Sequence, residues 1–173
     1  MSFKTNLISV ALFTAISGVS ITANAAPAAD VTLTGIITAT TCDVEVNNGL
    51  AALNVGVFKS GDFTANSQKG SVPLQVKLTD CDDEEDGSLI IQGITASSNP
   101  SQQLFTAAIA DTVGFMIKVS DDSAQVAANE EIPLSVTAAG PNLYTFNVGM
   151  GSTTLAPAAG AYSAPITVAY IVN

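Results

Sequence analysis

Val72-Pro73-Leu74-Gln75-Val76-Lys77-Leu78 carries an apolar side chain at every second position. Successive side chains of an extended chain point to opposite faces, so Val72, Leu74, Val76 and Leu78 share one face and Pro73, Gln75 and Lys77 the other. One face suits a core and the other suits water, which is the pattern of a half-buried β-strand. The same period returns in Ile166, Val168 and Tyr170 near the C-terminus, and in Val31 and Leu33 near the N-terminus. Together with short continuous apolar runs, it predicts strands at 31–40, 53–59, 72–79, 88–96, 113–119, 132–137, 143–149 and 164–172. Turn chemistry separates them: Asn47-Asn48-Gly49, Asp86-Gly87, Asn99-Pro100, Asp121-Asp122-Ser123 and Gly140-Pro141-Asn142. Only Ser101–Ala110, rich in Gln, Leu and Ala, has a composition that suits a short helix. Many short strands with turn signals between them predict an all-β sandwich. Nothing reads as a linker or a repeat, so one domain is expected.

The N-terminus bears on the compartment. Lys4 supplies a positive charge, Leu7 to Val19 is mostly apolar, and Ala23-Asn24-Ala25 has the small-x-small form of a cleavage site. That order is a secretory signal peptide, predicted here as residues 1–25. The apolar run is shorter than the roughly 20 residues a membrane-spanning helix needs, and Ser9, Thr14 and Ser17 dilute it. Removing 25 of the 173 residues leaves 148, one ordinary domain, and losing Lys4 takes the formal net charge from −10 to −11. So acidic a chain, with no arginine, cannot build the basic face that nucleic acid or an anionic membrane requires.

The two cysteines, Cys42 and Cys81, stand in a chain read as exported to an oxidising compartment, where such a pair is expected as a disulfide. Closing a loop of that length is worth about 4 kcal/mol in the chain-entropy treatment. The chain contains no histidine and no tryptophan, so a Ser-His-Asp or Cys-His system and imidazole-built zinc or copper sites are excluded. Phosphate-binding glycine loops are missing too, and aromatic platforms for a carbohydrate are few. No catalytic residue, metal ligand or cofactor is expected. The acidic run Asp80 to Asp86 matches a calcium loop only in part. Asp82, Glu84 and Asp86 stand at the first three ligand positions and Gly87 at the turn, but Gly93 occupies the position where a bidentate glutamate should close the shell. A solvated hairpin loop between two strands is the expectation for this run.

The order and spacing of these pieces resemble the major subunits of chaperone–usher fimbriae, the type 1 pilin-like family, over essentially the whole mature chain. Val31-Thr-Leu-Thr-Gly35-Ile-Ile resembles the family's opening strand, and Thr41-Cys42-Asp43-Val44 brings the first cysteine where it is expected. Leu74 to Cys81 looks like the strand that carries the second cysteine. Val113-Gly114-Phe115-Met116-Ile117-Lys118-Val119 resembles a later core strand, and Gly160 to Tyr170 the closing strand with its near-terminal tyrosine.

The resemblance implies an incomplete immunoglobulin-like β-sandwich lacking its final strand, completed by a donor strand from a neighbouring subunit. It implies as partners identical or related pilin subunits, a periplasmic chaperone and an outer-membrane usher, and as location the periplasm and then the cell-surface fimbria. The donor would be an extension at 26–34, with Pro27, Ala29, Val31 and Leu33 facing inward, ahead of a single pilin domain at 35–173. Pattern alone reads Val31 and Leu33 equally well as part of the subunit's own first strand. Ile166, Val168 and Tyr170 are implied as a chaperone-binding edge, with an ordinary core tyrosine as the other reading of Tyr170. Three features depart from the family: Ala29 stands where a donor glycine is usual, the extension before Leu33 is short, and Ile171-Val172-Asn173 lengthens the tail. The competing expectations are a minor, adaptor or adhesive subunit of such a fibre, or a self-sufficient secreted β-sandwich with a binding role of its own.

Overall fold

A computed structural model describes residues 42–81 and 84–172. Seven strands form two sheets. β1 (Asp43–Val46), β2 (Lys69–Thr79), β6 (Asn142–Ser152) and β4 (Val113–Lys118) make one, in the order β1-β2-β6-β4. The other has the order β5-β3-β7, from β3 (Glu85–Gly93), β5 (Ile132–Val136) and β7 (Ile166–Val172). Every pairing is antiparallel.

The alternation in β2 does what the sequence dictates: Leu74, Val76 and Leu78 are buried, while Pro73 and Gln75 are exposed and Lys77 is half-buried. They meet Phe146 and Val148 of β6 and Ile117 of β4 from the same sheet, and Leu89, Ile91, Ile132, Val136 and Tyr170 from the other, in one continuous core. The all-β sandwich is therefore the observed fold. Cys42 and Cys81 form a disulfide that joins the chain just before β1 to the chain just after β2, at the end of their ladder where Asp43 pairs with Thr79.

Six of the eight expected strands are present with shifted ends, and four local readings need correction. The expected strand at 53–59 is irregular. Asn54 Oδ1 accepts from the Gly56 amide at 2.8 Å, and Gly56 at φ +104° reverses the phase of the chain. Val55 is thus buried while Val57, two residues on, is almost fully exposed. Ser101–Ala110 forms no helix: Phe105 instead makes bridges to Thr95 and Phe115, and its buried ring outweighs the helical composition around it. Asp86-Gly87 is no turn but lies within β3. The acidic run is no hairpin either, since β2 ends in one sheet and β3 begins in the other. The expected strand at 31–40 lies outside the described residues, as do the signal segment, Pro27, Ala29, Val31 and Leu33.

Candidate functional site

A groove of about 1350 Å³ opens between the end of β1 at Val46 and the start of β7 at Ile166. Its floor is one end of the core: Leu74, Phe105, Ile117 and Val148, all buried. Its two walls are irregular chain, residues 46–58 and 157–166.

Each wall is fixed by local chemistry. In the first, Asn47, Asn48 and Gly49 all take left-handed backbone angles, the turn their side chains favour. Asn47 Nδ2 donates to the carbonyls of Leu50 at 3.1 Å and Ala52 at 2.9 Å. The wall ends at Phe58, whose ring lies against Gly70 so closely that any side chain at Gly70 would overlap it. Phe58 also meets Phe63 edge-on, with ring centres 6.2 Å apart. The second wall is Pro157-Ala-Ala-Gly-Ala-Tyr-Ser-Ala-Pro165, too poor in large side chains to pack as a strand. Tyr162 donates its hydroxyl to the Ala158 carbonyl at 2.7 Å, and Ser60 Oγ donates to the Pro157 carbonyl, linking this wall to the chain beyond Phe58.

The backbone around the groove matters as much as its apolar floor. Among the described residues, β7 pairs with β3 alone and β1 with β2 alone. An edge strand beside an apolar groove offers both hydrogen-bonding groups and side-chain pockets to another strand. The two other sheet edges are protected. Along β4, Phe105 bridges Phe115, Gln125 bridges Lys118, and the Val126 amide donates to the Ile117 carbonyl at 2.8 Å. β5 is five residues long, with an exposed Pro133 in it and exposed Glu130 and Glu131 before it.

Of the expected edge residues, Ile166 lines the groove, and Val168 is half-buried against the core. Tyr170 is fully buried, with its hydroxyl 3.2 Å from both the Glu85 and the Leu134 carbonyls, where one proton serves two acceptors. It thus ties the start of β3 to β5. Gly87 admits it: a side chain there would collide with the phenol ring and with the Ile171 carbonyl. Burial, and then the nearby carboxylates of Glu85 and Asp86, push the phenol above its ordinary value and keep it neutral.

Sequence reasoning reaches Leu74 through its alternating strand and Ile117 through the apolar run at 113–119. It misses Phe105, assigned to a helix, and the Ala-rich wall, which carries no periodic signal. Among the described residues, no group of three or more His, Cys, Asp or Glu side chains gathers as a metal centre. Asp82 and Asp83 of the partial calcium loop lie outside those residues.

Comparison with known proteins accords with this architecture. The chain is similar to a chain of a chaperone–usher pilus whose structure addresses rod uncoiling, with a TM-score of 0.58 and 15% identity over 86% of this chain and 98% of that one. It is similar also to the P pilus rod subunit PapA, with a TM-score of 0.60 and 14% identity over 77% of this chain and 99% of that one. No curated protein matches it in sequence. The profile of the family described as "Fimbrial protein" matches residues 31–172, and the chain belongs to that family: it is a fimbrial subunit.

Proposed function

We propose that this subunit polymerises by donor-strand exchange, its groove receiving residues 26–33 of a second copy. The observation that supports this most directly is the groove itself, an apolar floor set between the edges of β7 and β1 while the edges of β4 and β5 are protected. Eight extended residues reach about 26 Å at 3.3 Å each, and Pro27, Ala29, Val31 and Leu33 would face the floor. Burying Val31 and Leu33 contributes about 1.5–3 kcal/mol each. Each ladder hydrogen bond adds about 0.5–1.5 kcal/mol.

In this reading residues 1–25 are removed on export, 26–34 form the donor extension and 35–173 the pilin domain. A periplasmic chaperone covers the groove first, pairing along β7 through Ile166 and Val168. Tyr170 then acts from beneath, holding β7 by its core contacts. An outer-membrane usher is the place of exchange, and the product is a cell-surface fimbria supporting adhesion. The work is assembly; no step needs a catalytic group or a cofactor.

Deleting residues 26–33 tests the reading. The shortened chain should still accept the donor of a full-length copy yet donate nothing, so that mixtures give fibres whose length falls as its fraction rises. Normal fibre length at every mixing ratio would sink the proposal.

A further inference from the structure

The two ends of the sandwich differ in character. One carries the end of β2 and the start of β3, with Asp80, Glu84, Glu85 and Asp86. The other carries the starts of β2, β4 and β7 and the ends of β3 and β6. At this second end the loops 94–112 and 152–157 interlock. The Ser97 amide donates to the Ile109 carbonyl, the Thr106 amide to the Ile94 carbonyl, and the Thr153 amide to the Thr112 carbonyl, all at 2.8–2.9 Å. Ser98 Oγ adds a bond to Thr153 Oγ1 at 3.1 Å. The loops are well tied, yet they hold large apolar side chains out to solvent: Ile94, Ile109 at 65% exposure and Leu155 at 69%.

We infer that this apolar end, formed by Ile94, Ile109 and Leu155, is the face on which the body of the next subunit seats in the fibre. The inference rests on the donor-strand reading and adds a second contact to it. All strand pairs in this molecule are antiparallel, and β7 runs from the apolar end at Ile166 toward the acidic end at Val172. A donor pairing antiparallel to β7 runs the opposite way and leaves the groove beside Ile166. The pilin domain of that second copy begins directly after its donor segment, so it is delivered onto the apolar end. Charge argues the same way. In loops 94–112 and 152–157 Asp111 is the single carboxylate, so a second copy of this chain, with a formal net charge of −10, meets less repulsion here than at the acidic end. A head-to-tail contact between unlike surfaces extends without closing, as a fibre requires.

The test is fibre mechanics in the full-length chain, with Ile109→Lys combined with Leu155→Lys. Leu143→Lys is the control, because Leu143 is also 65% exposed but lies near the acidic end of β6, opposite Lys77. The double variant should still form polymers that withstand detergent without heating, since the groove is untouched. Electron micrographs should show its fibres bending with a several-fold shorter persistence length and without a regular axial repeat, while Leu143→Lys fibres match the unmodified ones. Double-variant fibres of unchanged repeat and stiffness would overturn the inference, as would equal softening by Leu143→Lys. If the double variant melts normally but stops at the chaperone-bound stage, the face serves the chaperone and the inference fails. Failure of the unmodified chain to form detergent-resistant polymers would instead remove the donor-strand reading beneath it.

Discussion

Replacing Tyr170 by phenylalanine separates the two roles its position allows. The ring fills the same buried space, so the perturbation is the loss of one hydroxyl that lies 3.2 Å from two carbonyls. Removing a donor from buried acceptors costs the bond, about 0.5–1.5 kcal/mol, and part of the desolvation of whatever stays unpaired, about 1–3 kcal/mol. The Glu85 carbonyl lies at the start of a paired strand and the Leu134 carbonyl in the middle of another, so water replaces the hydroxyl poorly. We expect a loss of about 1–3 kcal/mol. For a domain of this size that is roughly 3–12 °C in melting temperature. The assay is thermal and urea unfolding of the chain with its groove filled by an appended donor segment, which isolates the clamp from donor uptake. Chaperone capture should change no more than stability does. A variant that melts normally but loses chaperone capture would refute the clamp and return Tyr170 to the edge.

The same phenol gives a pH dependence. Its folded value is raised above the ordinary 10.0, so stability is complete below about pH 10 and declines as pH rises from there through the folded value; Tyr170→Phe should remove that component of the alkaline slope in urea titrations. Replacing Cys42 and Cys81 by serine should lower stability by up to about 4 kcal/mol, read as an earlier urea midpoint, because the crosslink closes a separation of 39 residues. Ile117→Ala, at a floor position 1% exposed and packed within the main core, should cost about 2–5 kcal/mol, checked by the same titration.

Much of the fold was legible wherever side-chain period and burial agree. Val72 to Leu78 and Ile166 to Tyr170 alternate because each has one face on the core, and the structure places both as strands. Local signals misled where tertiary contact outweighs them. Asp86-Gly87 reads as a turn, but Gly87 sits inside β3 because only a residue without a side chain admits the Tyr170 ring. Leu53, Val55 and Val57 look in phase along 53–59 until Gly56 inverts the chain between the last two. The groove was least legible. Its floor unites residues from four distant segments, and its second wall, 157–165, is small and aperiodic by composition. The family resemblance supplied the expectation of a missing strand that no pattern in the residues states.

The central claim, that the groove takes a strand from another copy, is tested most directly by thermal unfolding with and without a second copy of residues 26–37 appended after Asn173 through a flexible linker. The account predicts a weakly stable or aggregating parent and an appended form that melts tens of degrees higher. Equal melting of the two forms, with a monomeric parent, would contradict it and leave a sandwich that needs no donor.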